Sequence, residues 1–309
     1  VEFKHYSVML NEAVEGLAVR PDGIYADGTV GGAGHSRVIA SMLDPQRGRL
    51  ICLDRDPEAV KTAKERLAGL PATVVNANYS EIGRVLDDLG IGGLDGMLLD
   101  LGVSSYQLDN AERGFSYRSD APLDMRMSGE GLSARDIVNT YSYEELSKII
   151  FEYGEEKFAR SIASAIVRER ERAPIDTTFQ LSSVISASMP QKAKRNKNPS
   201  KKTFQAIRIA VNDELGHLDR ALDEAFDCLN VGGRLAIITF HSLEDRLVKQ
   251  RFQTFCTGCT CPPDFPVCVC GKTPRGRLVT RKPVEPSEQE LAENHRSHSA
   301  KLRIIEKIK

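Results

Sequence analysis

Gly23-Ile24-Tyr25-Ala26-Asp27-Gly28-Thr29-Val30-Gly31-Gly32-Ala33-Gly34-His35 leaves this chain few folds to choose from. Ile24 to Ala26 read as a short buried strand and the glycines after them as a tight turn. The periodic run from Ser36 to Leu43 then starts a helix. Strand, glycine turn and helix make a nucleotide-type cradle, because glycine alone lets backbone approach a ligand so closely. An ordinary glycine-rich loop is the plainer alternative.

The spacing narrows the kind of nucleotide. A dinucleotide fingerprint needs Gly-x-Gly-x-x-Gly, and here Gly32-x-Gly34 is followed by Arg37. Asp27 stands at the strand end, where its carboxylate would repel a pyrophosphate. S-adenosylmethionine has no phosphate and carries an ammonium and a sulfonium, so an acid at the mouth of the turn suits it. A nicotinamide oxidoreductase on a similar sheet is disfavoured for the same two reasons.

Further strands follow. Arg49 to Asp54 reads as a second buried strand ending in an acid. Asp54 sits where such folds place a carboxylate on ribose hydroxyls, while Asp56, ahead of Pro57 and Glu58, is the better helix cap. Thr73 to Tyr79 is a third strand and its loop, with Tyr79 either near an adenine or in the core. Leu94 to Gly102 is a fourth, apolar without alternation, as expected of a parallel strand covered on both faces. Strands alternating with helices argue for a doubly wound sheet. Asp100 ends the fourth strand, ahead of Gly102, Ser104 and Ser105. It is a candidate catalytic acid that would accept a hydrogen bond from an exocyclic amine; capping of its own loop is the alternative.

From Tyr106 to about Ser200 no strand is visible, and the stretch reads as an inserted helical domain. Ser142-Tyr143-Glu144-Glu145 resembles a capping box, Phe158 to Val167 is a second helix, and Thr178 to Met189 a third. The expected division is 1–105 with 203–309 for the sheet domain and 106–202 for the insertion. The insertion ends in a run with six basic residues and no acid, Lys192, Lys194, Arg195, Lys197, Lys201 and Lys202. The run is either a phosphate-backbone contact or a solvated loop. Thr203 to Leu229 reads as one long amphipathic helix, and Arg234 to Phe240 as a fifth strand. His241 follows, either as a proton acceptor or as a hydrogen-bonded structural histidine. Arg277 to Lys282 and Ser299 to Ile308 read as two final strands, completing seven.

Composition sets the bounds. The 309 residues are 41% hydrophobic and 28% charged, enough for a real core, and the net charge of −1 confines any basic surface to a patch. No secretory signal or membrane-spanning run is visible, so the seven cysteines point to a reducing cytoplasm. Five of them crowd together as Cys256, Cys259, Cys261, Cys268 and Cys270. Cys259, Cys261, Cys268 and Cys270 are candidate ligands of a structural zinc, though the spacing departs from the usual pair of knuckles.

Six segments together resemble one family: Asp27 to Ser36, Leu99 to Ser105, Glu112 to Ser116, Pro122 to Met127, Thr203 to Ile209 and Phe240 to Arg246. They look like RsmH (MraW), the bacterial small-subunit rRNA cytidine N4-methyltransferases. The resemblance implies an α/β class I, Rossmann-like methyltransferase sheet with an all-helical insertion. It also implies S-adenosylmethionine as donor and a decoding-region cytidine of 16S rRNA as substrate. Carried onto this chain, the family's cofactor positions are Ala33, Gly34, His35, Asp54, Tyr79, Asp100 and Gln107. Direct in-line attack by the cytosine N4 is expected, since no Pro-Cys pair offers a covalent route. Asp100 would orient the amine, Asp100, His241 or water would take the proton, and Phe115 or Tyr106 would stack on the base. A non-catalytic RNA-binding or assembly protein is the second reading. Oligomeric state is not legible in the sequence.

Overall fold

The computed structural model describes residues 7–191, 198–258, 261 and 270–309. Seven strands form its sheet: β1 (Ile24–Asp27), β2 (Arg49–Asp54), β3 (Ala72–Asn76), β4 (Leu94–Asp100), β5 (Leu229–Thr239), β6 (Gly276–Leu278) and β7 (Lys301–Lys307). Their order is β3-β2-β1-β4-β5-β7-β6. The first five run parallel, and β7 lies antiparallel between β5 and β6. The chain winds one way from β1 to β3 and the other way from β4 onward. The reversal opens a crevice beyond the carboxyl ends of β1 and β4, the usual ligand position in such sheets.

Strand alternation sorts the apolar residues onto two faces. Ile51, Leu53, Met97, Leu99, Leu235 and Ile237 pack with Leu222, Phe226 and Phe252 on one. Leu50, Cys52, Leu98, Ala236 and Ile238 pack with Leu17, Ile39 and Ala40 on the other. Both faces being covered explains why these strands read as unbroken apolar runs. Among the described residues, no helix is long and apolar enough to cross a membrane.

The chain divides into two compact units, Val1–Gly102 with Leu215–Lys309, and Val103–Glu214. The second has its own core, in which Phe115, Met125, Ile137, Ile162, Ile185 and Phe204 are buried. Its described residues form helices and one isolated bridge, Pro122 to Thr177. The expected helices appear as Tyr143–Glu152, Ala159–Arg170 and Thr178–Ser188, and Ser142 with Glu145 does form a capping box. Helix Ala134–Thr140, capped by Ser133 and Asp136, was not expected.

The single long helix expected from Thr203 to Leu229 is instead two, Lys201–Asn212 and Glu214–Asp227. Asp213 between them takes the left-handed conformation, φ 44°. The reason lies in Asn212, whose side chain accepts from Met127 N–H at 2.9 Å and donates to the Met125 carbonyl at 2.7 Å. Helix Lys201–Asn212 therefore belongs to the Val103–Glu214 unit, where Phe204 and Ile207 join the core.

Candidate active site

Three acids close three neighbouring parallel strands: Asp54 on β2, Asp27 on β1 and Asp100 on β4. Their roles diverge. Asp27 is 2% exposed, with Oδ1 accepting from Thr29 N–H at 3.0 Å and Oδ2 from Ser36 Oγ–H at 2.6 Å. Burial lifts its pKa against those bonds. Each oxygen takes one bond that joins the turn to the helix Gly34–Met42, so Asp27 has a structural role at the mouth of the turn whether or not it also meets a ligand.

Asp54 holds the other side of the turn. Gly31, at φ 45°, donates its N–H to Asp54 Oδ2 at 2.9 Å, and Asp56 N–H donates to Oδ1 at 2.9 Å. Burial is the first cause that raises this acid to about 6. As the sequence predicted, Asp56 and not Asp54 caps the next helix, Pro57–Arg66. Tyr79 opens a short 3₁₀ turn and packs beside Gly28, where a Cβ would come within 2.8 Å of the Tyr79 Cβ.

Asp100 is the acid left with capacity. Its backbone N–H donates to Thr29 Oγ1 at 2.7 Å, which ties β4 to the turn. Among the described residues, no group hydrogen-bonds its buried Oδ1, an arrangement that is costly unless a ligand supplies the donor. Its Oδ2 lies 3.7 Å from His35 Nδ1. Burial is foremost in raising Asp100 to about 6; His35 opposes the shift, and Asp27, Glu244 and Glu290 add repulsion.

His35 is 5% exposed, and its Nε2 lies 3.0 Å from the Val8 carbonyl. A carbonyl only accepts, so Nε2 carries the proton and Nδ1 is turned toward Asp100. Ala33 precedes the helix in the left-handed region, φ 61°. Gly34 has a packing reason to lack a side chain: a Cβ there would overlap Ser7 Oγ.

The remaining expected residues fare differently. His241 caps the helix Ser242–Cys256: its Nδ1 accepts from Glu244 N–H at 3.3 Å, and 7% of its side chain is exposed. It thus caps this helix, and its Nε2 lies 3.1 Å from Glu244 Oε1. Glu244 completes the capping box by accepting from Phe240 N–H at 2.8 Å and His241 N–H at 3.2 Å. In the other unit Phe115 is 7% exposed beneath the Arg113 guanidinium and packs in that unit's core. Tyr106 is 49% exposed. Gln107 is buried, its Oε1 accepting from Ser104 N–H at 2.9 Å in a capping box. Lys201 and Lys202 are exposed at the start of their helix, and Lys202 Nζ donates to the Glu155 carbonyl. Lys192, Lys194, Arg195, Lys197, Cys259 and Cys268 lie outside the described residues, while Cys261 and Cys270 are half-buried.

Four residues went unnoticed in the sequence. Thr29 and Ser36 lie within the glycine stretch and pin Asp100 and Asp27. The spacing of His241 and Glu244 is a box signal of the Ser142 kind. Glu290 has no local signal; only the fold brings it to Met9, whose N–H it accepts at 2.8 Å.

A seven-stranded sheet in this order, with acids ringing its switch-point crevice, is a class I methyltransferase fold. The chain belongs to the MraW methylase family, whose model matches residues 2–308. It is 57% identical over 312 residues to ribosomal RNA small subunit methyltransferase H 2 of Agathobacter rectalis, covering 99% of each chain. It is 53% identical over 312 residues to ribosomal RNA small subunit methyltransferase H of Brevibacillus brevis, covering 100% of this chain and 99% of that one. Among solved structures, an rRNA methylase from Streptococcus thermophilus overlays with TM-score 0.43 at 11% identity, covering 99% of each chain.

Proposed function

We propose that this chain transfers a methyl group from S-adenosylmethionine to the exocyclic N4 of a decoding-region cytidine in 16S rRNA. The observation that carries the reading is Asp100 Oδ1, buried at the carboxyl end of β4 with no hydrogen-bond donor among the described residues. An amine in the crevice would supply the missing donor. The residues present fit the cofactor: Asp54 toward ribose hydroxyls, Tyr79 toward the adenine, and the Gly31–His35 turn as the wall. The anionic crevice suits an ammonium and a sulfonium and rejects a pyrophosphate. When bound, S-adenosylmethionine supplies an activated methyl group.

The protein's own contribution is placement. The cytosine N4 lone pair is delocalised into the ring, so the amine must be held and turned for attack. Asp100 accepts one N4 hydrogen bond and, with its pKa near 6, is ionised at neutral pH. It can then receive the proton released after transfer. The names of the relatives support rRNA as substrate, and the six matching segments support the N4 atom. The basic residues from Lys192 to Lys202 are proposed as phosphate contacts.

The test incubates the protein with labelled S-adenosylmethionine and small ribosomal subunits, then identifies the modified nucleoside by mass spectrometry. N4-methylcytidine is expected, with turnover reduced at least about 100-fold in Asp100→Asn. The native rate should rise with pH through about 6, as Asp100 ionises. Full turnover in Asp100→Asn would remove the role given to that residue, and a methyl on another atom would remove the N4 assignment.

A further inference from the structure

The parallel pairing of β1 with β4 ends at Asp27 opposite Leu98, and one more bond follows, from Gly28 N–H to the Leu98 carbonyl at 2.9 Å. Beyond it the first chain leaves the sheet as the glycine turn, while β4 runs on to Asp100. Alternate amides of a strand face the same neighbour. Leu101 N–H donates to the Ile238 carbonyl of β5 at 3.0 Å, so the amide of Asp100 faces the side that β1 has left. A backbone carbonyl would take that amide if the ladder continued; here Thr29 Oγ1 takes it, at 2.7 Å. Gly28 permits the close approach of turn to strand, since a Cβ there would come within 2.5 Å of Leu99 Cδ2 and 2.8 Å of the Tyr79 Cβ.

The direction of the hydroxyl follows from its partners. An amide only donates, so a lone pair of Thr29 Oγ1 is committed to Asp100 and the hydroxyl proton must go elsewhere. Asp27 Oδ1 lies 3.5 Å from Thr29 Oγ1 and already accepts from Thr29 N–H at 3.0 Å. The buried Asp27 carboxylate therefore draws the proton to its own side and leaves the lone pair turned toward β4.

We infer that Thr29 is a positioning residue for Asp100: its hydroxyl stands in for the strand carbonyl that β1 no longer supplies, and so fixes the main chain that carries Asp100 Oδ1. The inference rests on the methyl-transfer reading for its consequence, though the hydrogen bond stands without it. A single link is involved, because the bonded nitrogen and the carboxylate belong to the same residue. A shift of the Asp100 main chain carries its oxygens along, and a displacement of ~1 Å in a site can cost about 100-fold in rate.

Two variants test the role. Thr29→Ser keeps the hydroxyl; Thr29→Val keeps the shape and removes it. The first readout is the Asp100 amide in full-length protein carrying ¹⁵N-aspartate, assigned by the signal that disappears in Asp100→Asn. In the native protein this amide should exchange slowly with solvent. Slow exchange should persist in Thr29→Ser and become about tenfold faster in Thr29→Val, as expected for the loss of one hydrogen bond. The second readout is methyl transfer, at a temperature where circular dichroism shows each variant folded. Thr29→Val should lower kcat about tenfold with KM for small ribosomal subunits changed by less than about twofold, and Thr29→Ser should restore most of it.

An Asp100 amide that exchanges freely in the native protein overturns the inference, even if Thr29→Val fails to fold. So does a Thr29→Val protein with an unchanged Asp100 amide or with full turnover, a loss that appears in KM alone, or an equal loss of kcat in both variants. If the native protein transfers no methyl group, the function proposed above falls and the positioning role with it, while the Asp100 amide still reports whether the bond is made.

Discussion

Ser7 Oγ occupies the space that a side chain on residue 34 would need, so Gly34 answers to a neighbour in the chain. Gly34→Ala should cost about 1–3 kcal/mol by overpacking, read as a lower urea midpoint. Asp54 and Asp100 give a second test at this scale. Both have native pKa values of about 6, against 3.8 for a free side chain. The folded state therefore binds more protons than the unfolded one between those values. Their contribution is fully present below about pH 4 and is lost as pH rises through 6. The urea midpoint of Asp100→Asn should fall less steeply across that window than that of the native protein. Some of this was legible in sequence. Asp56 is readable as a cap because Pro57 and Glu58 follow it. The engagement of Asp27 was not readable, since its second oxygen is satisfied by Ser36 from the following helix, and no pattern says which acid in a crevice is already bonded.

Elements were readable where one physical cause dominates. A parallel strand covered on both faces must be apolar throughout, which marks β2, β4 and β5 in the bare sequence. The break at Asp213 leaves no such mark, because the apolar stripe continues through Ile207, Leu218 and Leu222 on either side of it. Its cause lies 85 positions away in Met127, to which Asn212 is bonded. Replacing Asn212 by Ala would remove its bonds to the buried Met127 N–H and Met125 carbonyl, at about 1–3 kcal/mol each. A lower urea midpoint would check this, and the loss should be larger than for an exposed change such as Lys201→Ala. Helix Ala134–Thr140 escaped notice because its capping box closes with Asp136 in place of the usual Glu or Gln.

At the level of the molecule, the switch-point crevice should discriminate between cofactors. S-adenosylmethionine at 100 times its Kd should stabilise the protein by about 2.7 kcal/mol, visible as a raised melting temperature. NAD at the same concentration should leave it unmoved, because the buried acids Asp54 and Asp100 at the strand ends disfavour a pyrophosphate there. The crevice is also assembled from distant parts of the chain. Met9 and Glu290, joined by a hydrogen bond, are 281 positions apart. Long loops close slowly, and during synthesis the earlier residue waits for the later one. The first strands can therefore pair while the Met9 N–H still lacks its acceptor, and the backbone beside the turn is fixed only once residue 290 has been made.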